Sequence, residues 1–270
     1  MRYTADLHTH STASDGQYAP TELVRLAKAR GVEVLALTDH DTLDGLDEFL
    51  QVGRENGIRV LRGIELSAKE YRGLHILGYN FSDLAFLDNI CSEMKAGRDE
   101  RKYRITAFLR EKGMDIPLAE VEELAGGGVI GRPHFAQIMV QRGYVQTTRE
   151  AFDRYLDTDE YQRIERQKPE AQTCVEAIKN AGGKASFAHP YQVKLEEDAL
   201  DALVRQLAGY GLDAIECFYP RHTPAQQEFY LRLAKKYSLH VTGGSDFHGE
   251  KVKPDIQLAA WELELDWLLG

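Results

Sequence analysis

Short apolar strands alternate with amphipathic helices along most of the chain, and this alternation limits the available folds more than any other feature. Seven strands are predicted, at residues 3–8, 32–41, 58–68, 71–80, 184–190, 212–220 and 239–248. The first predicted helix starts at Pro20 and stops at Gly31, residue types that favour those positions. Repeated strand–helix units build parallel sheets. We therefore expect an α/β fold.

The alternation stops between residues 83 and 170. This stretch has almost no strand pattern and contains several helical segments, among them 100–113 and 132–144. We predict that residues 1–82 and 171–270 together form a barrel domain. Residues 83–170 are predicted to form a helical insertion, or cap domain.

Polar side chains that can bind metal ions occur where the predicted strands end. His8 and His10 are two residues apart, so their imidazoles point to the same side of a strand. The complete set of candidate ligands is His8, His10, Asp15, His40, Glu65, His75, His189, Asp246 and His248. Strand ends of this kind meet at one face of a barrel, which favours a barrel over an open sheet. Nine nitrogen and oxygen donors exceed what one ion needs, so we expect two to three divalent ions.

Composition excludes several other classes of protein. The chain has 270 residues and a formal net charge of −10, which argues against long nucleic acids or an anionic membrane as partners. It has no apolar run long enough for a spanning helix and no signal-peptide pattern at its start. Three widely spaced cysteines are typical of reduced thiols, so we expect a cytoplasmic protein.

Five short segments carry a resemblance to a known family. DLHTHS, LTDHDT, GIELS, AHP and SDFHG resemble the motifs of the PHP (polymerase and histidinol phosphatase) family, which is related to the amidohydrolases. The resemblance covers both barrel segments. It implies a distorted (β/α)7 barrel with a trinuclear metal centre, here with a helical insertion (cap) domain.

The resemblance also implies how the ligands divide among the metal ions. The first ion would be held by His8, His10, Glu65 and Asp246. The second would be held by Glu65, His75 and His189. The third would be held by Asp15, His40 and His248. We expect Mn²⁺, with Fe²⁺ or Zn²⁺ as alternatives, because these ions suit imidazole and carboxylate ligands.

Clustered divalent ions favour hydrolysis of a phosphoester. The sequence has no Gly-x-Ser-x-Gly motif and no suitable Cys–His pair, so we expect direct attack by metal-bound hydroxide. His134 or His222 is expected to act as the catalytic proton donor to the leaving group.

Basic residues outside the metal motifs suggest an anionic substrate. The residues expected to bind it are Arg98, Arg101, Lys102, Arg132, His134 and Arg221. GRPHF lies at a predicted helix start, which favours anions. The alternative for the run RDERKYR is a solvated helix face paired with its own acids. The insertion looks like that of the PHP subgroup of nucleoside 3′,5′-bisphosphate phosphatases and 5′ ribonucleases. This resemblance implies release of the 3′-phosphate to give a nucleoside 5′-monophosphate.

Three alternatives stay open at this stage. A histidinol-phosphate phosphatase would use the same metal centre without needing the basic cluster. An exonuclease acting on short oligonucleotides would also tolerate the acidic charge. A metal-stabilised scaffold module is the non-enzymatic alternative. The expected partner is a small-molecule nucleotide, or a short oligonucleotide, and the sequence implies no obligate protein partner.

Overall fold

The computed structural model describes residues 1–125, 130–162, 164 and 168–270. Its contacts divide the chain into two compact units. Unit 1 comprises residues 1–92 and 168–270, and unit 2 comprises residues 93–167. Within the described ranges, no helix is long and apolar enough to cross a bilayer.

Unit 1 is built on a mixed sheet of eight strands. The strands are β1 (Arg2–Thr9), β2 (Val34–Leu37), β3 (Arg59–Ser67), β4 (His75–Tyr79), β5 (Lys184–Phe187), β6 (Ala214–Phe218), β7 (His240–Gly243) and β8 (Trp261–Glu264). Their order in the sheet is β7-β6-β5-β4-β3-β2-β1-β8. β4 runs antiparallel to both of its neighbours and β8 runs antiparallel to β1, whereas the other pairs are parallel.

The sheet curves into a nearly closed barrel, which confirms the predicted fold class. Beyond the strand ladders, Thr9 and Phe247 form an isolated parallel bridge. The His10 N–H donates to the Phe247 carbonyl at 2.9 Å, and the Asp246 N–H donates to the His8 carbonyl at 2.8 Å. These bonds join the end of β1 to the segment after β7. The closing segments are therefore the same segments that carry candidate ligands.

Helices of unit 1 follow the strands, as the alternation predicts. They are α1 (Pro20–Ala29), α2 (Leu46–Asn56), α8 (Ala171–Asn180), α9 (Glu197–Gly209), α10 (Pro224–Lys236) and α11 (Asp266–Leu269), with a 3₁₀ turn at Pro190–Val193. Pro20 opens α1, and Gly57 caps α2 in a left-handed conformation with φ of 63°. A residue without Cβ adopts that conformation at little cost, which explains why the helix ends there.

The barrel interior is filled by side chains from several strands. Leu7, Val34, Leu61 and Leu77 belong to one buried cluster of this unit. Tyr79 lies in the same cluster, and its hydroxyl donates to the Leu7 carbonyl at 3.0 Å. Each fully buried aliphatic side chain contributes roughly 1.5–3 kcal/mol relative to an exposed one. Apolar packing thus holds the strands whose ends carry the polar residues.

Unit 2 is helical and has a hydrophobic core of its own. Its elements are the later part of α3 (Leu84–Glu111), α4 (Leu118–Ala125), α5 (Arg132–Gln141), α6 (Thr148–Ala151), a π turn at Phe152–Leu156 and α7 (Asp159–Gln162). Leu109, Val121, Phe135 and Met139 are fully buried in this core. The absence of a strand pattern in this part of the sequence agrees with the helices observed.

Candidate metal centre

All nine candidate ligands lie in unit 1, at one end of the barrel. His8 and Glu65 lie near the ends of β1 and β3, and most of the others lie in the segments that follow parallel strands. Glu65 and His40 form a bridge between the β2 and β3 segments. His75 is positioned differently, because it is the first residue of antiparallel β4 and pairs with Ser67 at the end of β3. An antiparallel strand brings its first residue to the edge where parallel neighbours end. The strand direction therefore places His75 beside the other ligands.

The ligand atoms fall into three overlapping groups that could each hold a metal ion. The groups are His8, His10, Glu65 and Asp246; His10, Asp15, His40 and His248; and His40, Glu65 and His75. Within each group the ligand atoms lie within 4.8 Å of one another. The first group matches the set that the resemblance implies. His10 and His40 are each shared between two groups, and His189 belongs to none of the three, both of which differ from the implied division.

Glu65 lies between the groups, with each carboxylate oxygen facing different histidines. Oε1 is 2.7 Å from His75 Nδ1 and 2.9 Å from His189 Nε2. Oε2 is 3.3 Å from His8 Nε2 and 3.2 Å from His10 Nε2. The side chain is fully buried. A carboxylate whose two oxygens each face imidazole nitrogens is suited to bridging two cations.

Several buried polar atoms at this end form no hydrogen bond within the protein, and they test whether the residues present fit a cation. They include His8 Nε2, both ring nitrogens of His10 and Glu65 Oε2. Buried polar atoms in folded proteins almost always have a partner, so such orphans require an explanation. Glu65 Oε2 lies 3.3 Å from His8 Nε2 and 3.2 Å from His10 Nε2, so three of these atoms converge on one small space. Imidazole and carboxylate donors arranged in this way fit a divalent ion such as Mn²⁺, Fe²⁺ or Zn²⁺.

The charges of the cluster act strongly on one another. Burial alone would raise the pKa of Glu65, but the surrounding histidines, His40 and His8 foremost, hold it well below its usual value. Burial alone would lower the pKa of His10, but Asp246 and Glu65 raise it to about 9. Burial lowers the pKa of His75 to about 3. The carboxylates thus stabilise positive charge at the centre of the cluster, which is what a cation-binding site requires.

Backbone strain also accumulates at this end of the barrel. His189 and Asp246 have φ of 27° and 56°, in a region that residues with a side chain rarely occupy. Strained conformations of this kind persist where the surrounding structure holds them, and they cluster at functional sites. Both residues are candidate ligands, so the strain coincides with the cluster.

Several residues that hold the ligands in place were not predicted from the sequence. Asp39 accepts hydrogen bonds from the Ser11 N–H at 2.7 Å, the Ser11 hydroxyl at 2.6 Å and the Ser14 hydroxyl at 2.5 Å. Lys253 and Tyr219 both bond to Asp246 Oδ2, at 2.7 and 3.1 Å. Two further buried acids, Asp6 and Glu216, lie within β1 and β6 beside apolar residues. An acid inside an apolar strand is the sequence signal that could have revealed them.

The predicted substrate-binding residues of unit 2 have partners within that unit. The Arg101 guanidinium donates to the Tyr161 hydroxyl at 3.2 Å, and Lys102 pairs with Glu122 at 2.9 Å. The side chain of Arg98 lies outside the described residues. The Lys102–Glu122 pair agrees with the alternative of a helix face paired with nearby acids, whereas the partner of Arg101 is a tyrosine. The binding role of these residues stays a prediction.

The GRPHF segment forms the start of α5. His134 Nδ1 accepts the Gly131 N–H at 3.0 Å, closing the first turn of the helix. Arg132 donates to the Leu156 carbonyl at 3.2 Å and to Asp157 at 2.5 Å, and its guanidinium lies 5.6 Å from the centre of the Phe152 ring. The helix start that the sequence predicts is thus present, and both side chains help to fold it.

His222 and Arg221 lie in unit 1. Arg221 pairs with Asp255 at 2.7 Å. His222 Nδ1 is 3.0 Å from the Cys217 carbonyl, which can only accept, so Nδ1 carries the proton. Burial lowers the pKa of His222. A neutral ring with this tautomer is better suited to accepting a proton at Nε2 than to donating one, and the predicted role as proton donor stays untested.

A barrel with a polyhistidine and carboxylate cluster at its strand ends defines the class of metal-dependent hydrolases. The model of the PHP domain family matches residues 6–182. The chain belongs to this family. It is a metal-dependent hydrolase that acts on phosphoesters.

Relatives of known activity cover nearly the whole chain. A 5′-3′ exoribonuclease of Haemophilus influenzae is 38% identical over 245 residues, 90% of this chain and 89% of the relative. A phosphoribosyl 1,2-cyclic phosphate 1,2-diphosphodiesterase of Eggerthella lenta is 33% identical, covering 91% and 94%. A 3′,5′-nucleoside bisphosphate phosphatase of Chromobacterium violaceum is 30% identical, covering 90% and 86%. The relatives share phosphoester cleavage and differ in substrate.

One solved structure is closely similar in fold. The structure of an amidohydrolase from Chromobacterium violaceum, with bound sulfate and no metal, superimposes with a TM-score of 0.80. The two sequences are 29% identical, and the match covers 96% of this chain and 92% of the other. The barrel architecture is therefore similar to that of a solved amidohydrolase.

Proposed function

We propose that the protein hydrolyses the 3′-phosphate of nucleoside 3′,5′-bisphosphates, such as adenosine 3′,5′-bisphosphate, to give the 5′-monophosphate. The observation that carries the proposal is the set of three overlapping ligand groups with orphaned buried atoms. The nine candidate ligands would hold two to three divalent ions, with Mn²⁺ preferred. The three cysteines are buried free thiols, which suits the reducing cytoplasm that we propose as its location.

The residues of the cluster divide the work between binding and orientation. Bound ions would activate water for attack on phosphorus and neutralise charge on the phosphate oxygens. Glu65 holds the groups together, because its two oxygens face different histidines. Tyr219 and Lys253 bind Asp246 Oδ2 and leave Oδ1 facing His10 at 3.4 Å. These contacts fix the ligands before substrate arrives.

The choice of a nucleotide substrate is supported by the relatives and by the bond that would be cleaved. A nucleoside bisphosphate phosphatase and a 5′-3′ exoribonuclease both match 90% of this chain. Removal of a 3′-phosphate and removal of the first nucleotide from the 5′ end both break a phosphoester at the 3′ oxygen. A single metal centre with one binding site for the 5′-phosphate would serve both reactions.

We propose that basic residues bind the phosphate that does not react. The candidates are Arg98, Arg101, Lys102, Arg132, His134 and Arg221. For Arg132 this requires the guanidinium to exchange Asp157 for a phosphate, or to bind both, since it has five N–H donors. Binding energy from a remote group can stabilise the transition state as well as the ground state.

Phosphate-release assays test the proposal directly. The metal-loaded protein is offered adenosine 3′,5′-bisphosphate, 3′-AMP, histidinol phosphate and a phosphoribosyl 1,2-cyclic phosphate under the same conditions. We expect the highest kcat/KM for the bisphosphate. Equal kcat/KM for the bisphosphate and 3′-AMP would refute recognition of a second phosphate. No turnover of any phosphoester by metal-loaded protein would favour the scaffold alternative.

Arg132→Ala is the variant that tests the second phosphate. A charged hydrogen bond contributes on the order of 1.5–3 kcal/mol, so we expect kcat/KM for the bisphosphate to fall about 10- to 100-fold and that for 3′-AMP to change little. The control is Arg149→Ala, which removes another arginine of unit 2 that pairs with Asp153 one helical turn away. Equal losses on both substrates would show that Arg132 acts through folding alone.

A second candidate function is 5′-3′ exonucleolysis of short oligoribonucleotides. It is favoured by the 38% identity to an exoribonuclease, the highest among the relatives described above. A 5′-phosphorylated tetraribonucleotide distinguishes the two. Release of 5′-monophosphates one at a time, with a kcat/KM above that for the bisphosphate, would make exonucleolysis the main activity.

A further inference from the structure

Glu216 is a buried acid that contacts two candidate metal ligands without belonging to any of the three ligand groups. It lies in the middle of β6 and is fully buried. Oε1 is 3.1 Å from His8 Nδ1. Oε2 accepts the backbone N–H of His189 at 2.7 Å. One carboxylate therefore contacts the side chain of one candidate ligand and the main chain of another.

The contact with His8 decides which ring nitrogen faces the cluster. A carboxylate accepts, so a neutral His8 carries its proton on Nδ1 and keeps a lone pair on Nε2. Nε2 is the atom that lies 3.3 Å from Glu65 Oε2 and 3.7 Å from Asp246 Oδ1. Histidine ligands commonly donate their other N–H to a carboxylate, which fixes the ring and its tautomer.

The contact with His189 acts on the backbone. His189 has φ of 27°, a strained value for a residue with a side chain, and its Nε2 lies 2.9 Å from Glu65 Oε1. The bond from its N–H to Glu216 Oε2 is a charge-assisted hydrogen bond in a buried environment, which makes it strong. It offsets the strain that aims the ring at Glu65.

The packing around Glu216 leaves space for this arrangement only if a neighbouring residue is small. A Cβ added to Gly244 would lie 2.8 Å from Glu216 Oε1 and 2.2 Å from His8 Cβ. Gly244 follows β7, and its N–H donates to the Phe218 carbonyl at 3.0 Å. The glycine therefore lets the His8–Glu216 pair pack against the segment that leads to Asp246.

We propose that Glu216 is a positioning residue of the metal centre. It sets the tautomer of His8 through Nδ1 and the backbone of His189 through its N–H, and so preorganises two ligands from two strands. The proposal rests on the proposed function, since it requires that these residues bind metal ions. It assigns to Glu216 an indirect role, with no contact to substrate.

The chain offers a closely matched control in the same part of the sheet. Asp213 immediately precedes β6, and its Oδ2 accepts the backbone N–H of Ala185 in β5 at 2.9 Å. It also pairs with Lys179 at 2.6 Å. Asp213→Asn therefore disturbs a carboxylate that bonds to the backbone at the start of β5, whereas Glu216 bonds to the backbone of His189, just after the end of β5. It should lower thermal stability without affecting metal affinity.

The first test measures binding of Mn²⁺ to full-length metal-free protein by calorimetry. In Glu216→Gln one acceptor oxygen becomes an N–H₂ donor, so the side chain can no longer accept from both His8 and His189. We expect affinity about 10- to 100-fold below wild type, the usual cost of removing an outer partner of a ligand. Asp213→Asn should bind Mn²⁺ as wild type does. Equal affinity of Glu216→Gln and wild type would refute the role of Glu216.

The second test is spectroscopic and does not depend on the variant folding. In zinc-loaded, ¹⁵N-histidine-labelled wild type, His8 should show a protected Nδ1–H proton and zinc bound at Nε2. Zinc bound at His8 Nδ1 would overturn the proposal even if Glu216→Gln fails to fold. Wild type that binds neither Mn²⁺ nor Zn²⁺ would refute the metal centre itself. Normal binding by both wild type and Glu216→Gln would instead refute only the role of Glu216.

Discussion

At the scale of single residues, the metal centre buries groups whose charges are costly to remove from water without a compensating cation. Glu65 and Asp246 are buried carboxylates, and four of the imidazoles at this end of the barrel are also buried, those of His8, His10, His189 and His248. Removing charge from water is costly unless an opposite charge or a metal compensates. The cluster therefore exchanges folding stability for the capacity to bind divalent ions.

Glu65→Gln is the clearest test at this scale. Glu65 has Oε1 toward His75 and His189 and Oε2 toward His8 and His10. The neutral amide of glutamine is a poorer ligand, and its single acceptor oxygen can face only one of these two pairs. We expect metal content and turnover to fall further than the roughly 10- to 100-fold that loss of an outer partner costs.

Elemental analysis and phosphate release measure the two effects of Glu65→Gln. Wild type should hold more than one ion per chain. The matched control is Glu33→Gln, which removes an exposed carboxylate whose contact is the Thr4 N–H at 2.7 Å. Normal metal content in Glu65→Gln would remove this residue from the centre.

At the scale of secondary-structure elements, the junction between β1 and the segment after β7 is closely packed. The space at Gly244 accepts no side chain, because its Cβ would also lie 2.7 Å from the His8 backbone nitrogen. Strand β1 cannot move away easily, since it is hydrogen-bonded to β2 and β8. Close packing of the two segments is therefore a condition for bringing His8 and Asp246 together.

Gly244→Ala should lower the free energy of unfolding by about 1–3 kcal/mol, the usual cost of overpacking a buried site. The control is Gly209→Ala at the end of α9, where an added Cβ meets no atom within 4 Å. That change should instead stabilise the protein by about 0.4–1 kcal/mol, because alanine restricts the unfolded chain. Denaturant unfolding of both variants measures these values. A Gly244→Ala variant as stable as wild type would show that the junction can widen.

At the scale of the whole molecule, metal binding should be coupled to stability. Ions that bind the folded chain and not the unfolded chain stabilise it by about 2.7 kcal/mol when present at 100 times their dissociation constant. Chelation should therefore lower the melting temperature of wild type, and added Mn²⁺ should restore it. Thermal scans with and without chelator measure the shift. Glu65→Gln should show a much smaller shift, and a wild-type melting temperature unaffected by chelation would contradict the coupling.

The sequence by itself determined the features that are local in the chain. The His8–x–His10 spacing, the acids and histidines at strand ends, and the helix limits at Pro20 and Gly57 all follow from periodicities and residue preferences over a few positions. They were sufficient to predict the barrel class and the set of nine candidate ligands. Strand β8 (Trp261–Glu264) was not among the seven predicted strands.

Only the tertiary structure decided which distant residues meet. Antiparallel β4 brings His75 to the same edge as the ends of the parallel strands, and the pairing of β5 with β6 places Glu216 beside His8 and His189. The contact between His8 and Glu216 joins residues 208 positions apart. Strand direction and register set such contacts, and both depend on packing across the whole barrel. A local pattern carries no information about that packing, and for this reason the outer partners of the metal centre emerged only from the fold.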